Sequence, residues 1–149
     1  MTAGSTAISF GAEGARSVPK GAVVLLGRFL FVLIFVMSSF NHFSRQTIGY
    51  AAAHGVPFAP IAVPLSGIIA LLGGVSILLG YRAKLGAWLI VLFLVPVTLT
   101  MHKFWGVSDP MMAQTQMIHF MKNLSMLGGA LLLSQFGAGP LSLDARRSR

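Results

Sequence analysis

The chain has 149 residues, 55% of them hydrophobic and only 9% charged, and it contains no cysteine. Ordinary globular domains carry about 25% charged residues, so a soluble cytosolic enzyme and a disordered chain both fit poorly, and the missing thiol excludes disulfides, zinc–cysteine sites and iron–sulfur clusters. Eleven Lys and Arg against three Asp and Glu give a formal +8; beside long apolar runs, that surplus suits an anionic lipid surface rather than nucleic acid.

Residues 1–19 are small, polar and glycine-rich and read as a flexible cytoplasmic tail. Four apolar stretches follow, at about 21–40, 61–80, 85–101 and 112–136. A helix rises 1.5 Å per residue, so about 20 residues cross a hydrocarbon core about 30 Å thick. Strand alternation is absent, and runs such as Val23 to Leu26 are apolar on every face. Lipid-exposed backbone must satisfy its own hydrogen bonds, which favours helices. A cleaved signal peptide competes for the first stretch; its length, the interrupting Arg28 and the lack of a following Ala-x-Ala site favour a retained helix. Residues 41–60 read as a long loop with breakers at Gly55, Pro57 and Pro60, and Tyr81 to Lys84 as a tight turn. Residues 102–111 read as a second long loop ending in Asp109-Pro110, an N-cap with a first-turn proline. Gly137 to Pro140 ends the fourth helix, and residues 138–149 form a basic tail.

The fold class this implies is all-α: an integral membrane four-helix bundle, antiparallel, over residues 20–137. Arg16, Lys20, Arg82, Lys84, Arg146, Arg147 and Arg149 fall on one side of four spans, and only Arg45 and Lys103 flank the other. By the positive-inside rule both termini are cytoplasmic and both long loops face outward. Ser66, Ala70 and Gly74 in the second stretch and Ser125 and Gly129 in the fourth are spaced as small-residue ridges for close helix packing. Pro96 is expected to kink the third helix.

Charges inside a bilayer mark function by default. Arg28 lies about 12 Å along its helix from Gly21, and snorkelling toward the cytoplasmic headgroups is the plain alternative for it. Gln116, His119, Lys122 and Asn123 share one arc of the fourth helix. Such a stripe faces either a pocket or a structural hydrogen-bond network between helices. The threading brings Asn41, His42, His102, His119, Lys122 and Asn123 to one outer level, with Arg28 deeper. All three acids, Glu13, Asp109 and Asp144, lie in tails or a loop, so Arg28 and Lys122 have no carboxylate within the spans. A cationic, imidazole-lined pocket suits a quinone or quinol oxygen or a small oxyanion. No histidine pair has the spacing of a single-helix metal site, so the candidate ligand-binding set is Arg28, Asn41, His42, His102, His119, Lys122 and Asn123, with no metal and no intrinsic cofactor expected.

The order Gly27-Arg28, Ser39-Phe40-Asn41-His42, Gly55-Val56-Pro57, Gly73-Gly74, Gly80-Tyr81-Arg82, His102-Lys103-Phe104-Trp105, Lys122-Asn123-Leu124, Gly128-Gly129 and Gly137 to Asp144 resembles the DoxX family of small four-helix bacterial membrane proteins. The resemblance covers about residues 20–145. It implies an inner-membrane protein, a membrane subunit of a quinone-linked redox system with bound quinone and a redox-enzyme partner, and it matches the site positions Arg28, Asn41, His102, Lys122 and Asn123. Alternatives are a non-enzymatic membrane anchor or assembly partner and a small-solute transporter.

Overall fold

The computed structural model describes residues 20–147, so the tail expected at residues 1–19 and the last basic residue, Arg149, lie outside the described residues. The described residues form helices and connecting turns, with no strand among them. Four long helices, α1 (Lys20–Ser39), α3 (Ala59–Leu79), α4 (Ala83–Met101) and α5 (Pro110–Phe136), alternate in direction. Between α1 and α3 lie a 3₁₀ turn (Phe40–Phe43) and a short helix, α2 (Arg45–Ala53); α6 (Leu143–Arg147) follows α5. The segment read as a long loop at 41–60 is therefore largely helical.

Local chemistry sets the boundaries. The Ser44 side chain accepts from the Thr47 N–H and caps α2. That helix ends in a Schellman pattern: Val56 N–H bonds Ala51 O at 3.1 Å, Gly55 N–H bonds Ala52 O at 3.0 Å, and Gly55 has φ 80°. The same pattern closes α3, with Tyr81 N–H to Ser76 O and Gly80 N–H to Ile77 O, and with Gly80 at φ 63°. Asp109 caps α5 by accepting from Met112 N–H at 2.7 Å. Pro96 lies within α4, which runs unbroken past it from Ala83 to Met101.

The helices are inverted relative to a soluble bundle. Large apolar side chains point outward at alternating three- and four-residue steps: Leu26, Leu30, Leu33 and Met37 on α1, Leu65, Ile68, Leu72 and Val75 on α3, and Leu85, Trp88, Leu92 and Val95 on α4. Small residues lie inside. A Cβ on Gly73 would sit 2.9 Å from Gly86 O, and one on Gly74 would meet Val36 at 3.0 Å, so α3 can approach both α4 and α1 only with glycine there. The core gathers Val32 and Phe35 from α1, Ala70 and Ile77 from α3, Ala87, Ile90, Phe93 and Leu94 from α4, and Ala130 from α5. Of the expected ridges, Ala70 and Gly74 are buried, but Ser125 is exposed; Asn123, Ala130 and Ser134 form the buried face of α5. By length and composition the segment Gly21–Phe43, α3 and α4 can each cross a bilayer. The 27 residues of α5 are long enough, and its run of Gln116, His119, Lys122 and Asn123 leaves it less apolar than the other three.

The segment after α5 ties the lower end together. Asp144 accepts from Arg82 N–H at 2.8 Å and Ala83 N–H at 3.0 Å, capping α4 from 61–62 residues away, while its own N–H bonds Gly80 O at 2.8 Å. Arg82, in the left-handed region at φ 49°, is held there by this bond. A side chain on Gly80 would collide with Arg28, Ser142 and Ala138. Removing a helix cap costs about 1 kcal/mol, so Asp144→Ala is expected to lower the unfolding midpoint measurably in a neutral detergent. Gly80→Ala, which adds a left-handed penalty and a steric clash, should lower it further; a Gly80→Ala midpoint equal to wild type would show that the segment is not seated here.

Candidate functional site

The two ends of the bundle treat their polar groups differently. At the lower end Arg28 is 2% exposed. Its Nη2 donates to Leu141 O at 2.6 Å and its Nη1 to Ile77 O at 3.5 Å, while Nε has no partner among the described residues. A guanidinium carries five donors, and carbonyl oxygens here replace the absent carboxylate. The side chain is thereby a clasp between α1, the end of α3 and the segment after α5. A broad depression of about 650 Å³ lies nearby, lined by Arg82, Lys84, Phe136, Gly137 and Asp144. It is wide open, and its carboxylate is already committed to the α4 cap.

At the upper end α1 tightens into the 3₁₀ turn, which lays His42 across α3. Gly67 makes this possible, since a Cβ there would come within 2.6 Å of His42 Cβ and 3.0 Å of Ser39 O. His42 Nδ1 bonds Ser38 O at 2.9 Å, and its ring packs edge-on to Phe93 with centroids 5.6 Å apart. On the facing side, His102 ends α4 and donates from Nδ1 to Gln116 Oε1 at 3.0 Å. The His102 and His119 rings lie 5.2 Å apart, and Lys122 Nζ donates to His119 Nδ1 at 3.4 Å. The stripe predicted on the fourth helix thus becomes a polar chain running Gln116, His102, His119, Lys122.

A cavity of about 290 Å³ opens beside this chain, lined by Ser38, His42, Thr47, Tyr50, Phe93, His102, Lys122 and Asn123 among others. Asn123 is 5% exposed and finds no hydrogen-bond partner among the described residues. Its amide is not sealed off, since Arg28 Nε is the one enclosed side-chain polar atom without a partner among the described residues; the Asn123 amide keeps its bonding capacity open to the cavity, which makes it the most informative group here. A second cavity, of about 420 Å³, backs onto the first; it is lined by Ala51, Val56, Pro57, Ala62, Val63, Ser66 and Pro96, and the two share His42, Thr47, Val97 and Met101. Among the described residues, no three His, Cys, Asp or Glu are grouped to hold a metal.

Of the seven candidate residues, the structure brings His42, His102, Lys122 and Asn123 to one cavity, with His119 bonded to its rim. Asn41 is exposed, its backbone oxygen accepting from Ser44 N–H, and it does not join them. Arg28 lies ten residues below Ser38, about 15 Å along α1, and belongs to the clasp instead. Sequence reasoning missed Ser38, Thr47, Tyr50 and Gly67. The capping Ser44 and the turn glycine Gly55, which bracket α2, are the sequence signals that could have found Thr47 and Tyr50.

The sequence model of the SURF4 family matches residues 11–149. The chain belongs to the SURF4 family. Among relatives, the inner membrane protein YphA of Escherichia coli (strain K12) is 29% identical over 129 residues, covering 85% of this chain and 91% of YphA. The ER-derived vesicles protein ERV29 of Saccharomyces cerevisiae (strain ATCC 204508 / S288c) is 26% identical over 128 residues, 86% of this chain; the chain spans only 34% of ERV29. No solved structure matches this SURF4-family chain. The family match overturns the DoxX resemblance, and the quinone-linked redox role that rested on it loses its support. The physical reason is visible in the fold. Gly27-Arg28, Gly80-Tyr81-Arg82 and the Gly137 to Asp144 run meet at the clasp, a packing solution that short motifs can share without sharing chemistry.

The Asn123 amide bonds no other described residue, so an apolar side chain of similar size there removes no hydrogen bond of the fold. Asn123→Leu is therefore expected to hold or raise the thermal midpoint of the purified protein. A drop of more than about 1 kcal/mol in stability would mean that Asn123 has a structural partner and is not reserved for a ligand.

Proposed function

We propose that this SURF4-family protein is a multi-pass inner-membrane binding protein that captures an anionic group in the cavity at its outer end. Placement in the inner membrane is supported by the relative YphA, an inner membrane protein of Escherichia coli. Four crossings with both chain ends in the cytoplasm follow from the charge pattern: Arg82, Lys84, Arg146 and Arg147 gather at the lower end, against Arg45 and Lys103 at the upper. The fourth crossing, α5, is supported by an outward apolar stripe of Met117, Met121, Leu124 and Leu131.

The observation that carries the reading is the Asn123 side chain, 5% exposed and bonded to no other described residue, whose amide opens onto the cavity that Lys122 and His102 also line. An amide, an ammonium and an imidazole together suit an oxyanion. Competing carboxylates are absent from this end among the described residues, apart from Asp109, which caps α5. Binding is favoured over conduction because the lower end is closed: Arg28, Gly80, Ala138 and Ser142 are all buried there. A pocket floored by the packed apolar core, with the clasp closing the far end, holds a ligand and offers it no path through.

The chain has no cysteine, so single cysteines report position and potential without background. Asn123→Cys in intact spheroplasts is expected to react with membrane-impermeant thiosulfonates, and Arg146→Cys only after lysis. At Asn123→Cys an anionic thiosulfonate should react about tenfold faster than its cationic analogue, since a positive cleft concentrates anions. Adding Lys122→Gln should collapse that ratio toward one. Equal rates for the two reagents in the otherwise unchanged protein would remove the anion-binding reading, and labelling of Arg146→Cys from outside would reverse the orientation.

A further inference from the structure

The outer cavity has a second chamber, and the two chambers differ in chemistry. The first offers unsatisfied polar groups, Asn123 above all. Of the groups the second does not share with the first, none has a hydroxyl free to donate. Its Ser66 hydroxyl is spent on Val63 O at 2.7 Å, and its Thr100 hydroxyl on Pro96 O at 2.7 Å. The rest of its wall is mainly alanine, valine, proline and methionine. Such a lining takes apolar matter and gains by excluding water.

The partition between the chambers is thin. It consists of His42, Thr47, Val97 and Met101, which line both. Val97 and Met101 are one turn apart on α4, and methionine has three rotatable bonds that adapt to what packs against it. His42 and Thr47 enter from the 3₁₀ turn and α2, two short elements over the helix ends. A chamber that carries Asn123, Lys122 and His102 among apolar side chains, joined across four side chains to one lined mainly by apolar groups, matches a ligand with two unlike ends.

Resting on the anion-binding reading above, we infer that the double cavity is a site for a single-chain amphiphile with an oxyanion head. The head lies in the first chamber, accepting from Asn123 Nδ2 and paired with Lys122 Nζ. The acyl chain turns past Met101 and Val97 into the second chamber, against Val63, Ala62 and Pro57. The same chemistry gives the Asn123 amide a role: it opens onto the cavity with no acceptor from the fold, and the head group supplies one.

The test compares three probes on the purified full-length chain in a neutral maltoside detergent, by native mass spectrometry: dodecyl phosphate, inorganic phosphate and dodecanol. Dodecyl phosphate is expected to bind at least about tenfold more tightly than either of the others, because it alone fills both chambers. Ser66→Phe, which fills the apolar chamber, should weaken dodecyl phosphate about tenfold and leave inorganic phosphate unchanged. Asn123→Leu should weaken both phosphates. If inorganic phosphate binds the unmodified protein as tightly as dodecyl phosphate, the amphiphile inference is overturned while the anion pocket stands. If dodecanol matches dodecyl phosphate, the head-group assignment is overturned. Failure of all three probes to bind would overturn both the inference and the reading beneath it. The comparison among probes on the unmodified chain does not depend on any variant folding.

Discussion

Lipid cannot hydrogen-bond to a peptide group, and every other feature of this protein follows from how it meets that constraint. Within the spans the backbone is satisfied by helices, and the remaining freedom lies in what the side chains do. The large ones face outward, where acyl chains solvate them at no cost. The helices are then drawn together by close contact rather than by escape from water. Gly73 against Gly86, Gly74 against Val36 and Gly67 beneath His42 are the points of nearest approach. A methyl group at Gly73 would press on the Gly86 backbone, one at Gly74 would force Val36 to shift, and one at Gly67 would displace His42 from the cavity wall.

Polar groups are consequently confined to the two ends, and the ends have opposite characters. At the lower one the groups that join distant segments are mostly paired, with Arg28 Nε the exception among the described residues. Arg28 reaches two carbonyl oxygens, Asp144 accepts from two backbone N–H groups, and Ser142 Oγ donates to Gly139 O at 2.7 Å while accepting from Ala145 N–H. At the upper one Gln116 bonds His102 and Lys122 bonds His119, the two imidazoles meet as rings 5.2 Å apart, and Asn123 is left open to the cavity. Pairing makes one end rigid and closed. The unfilled bonding capacity of the other is what gives it something to recognise.

Three of the four long helices were legible as continuous apolar runs bounded by glycine, proline or charge, and the fourth as a long helical stretch opened by Asp109-Pro110 and closed by Gly137, signals that act within a few residues. The polar stripe of α5 was legible for a similar reason, since helix geometry alone puts Gln116, His119, Lys122 and Asn123 on one arc. What the sequence hid was non-local or depended on a change of helix type. The acceptor for Arg28 is a backbone oxygen 113 residues away, and a carbonyl leaves no mark in a sequence. Asn41 and His42 are neighbours with opposite fates because the chain tightens to three residues per turn at Phe40, which keeps one against α3 and turns the other outward. The α2 helix was hidden by its glycine and by low apolar content, although Ser44 and Gly55 mark both its ends. The family was misjudged because glycine–arginine and glycine–tyrosine–arginine pairs report a tight turn and a clasp, which are needs of packing and not of chemistry.

The Asp144 cap has a consequence for the order of events during biogenesis. The hairpin of α3 and α4 leaves the ribosome and enters the bilayer some sixty residues before the carboxylate that secures its turn has been made. Until then the Arg82 and Ala83 N–H groups are hydrated at the membrane surface, and Arg28 has only the end of α3 to hold. Insertion and locking are therefore separate stages: the hairpin is laid down loosely, and the arrival of residues 141–144 draws three distant stretches of chain onto one knot. A nascent chain that stalls before that point has all the helices of the hairpin and none of its closure, which gives membrane quality control a defined, exposed turn to recognise.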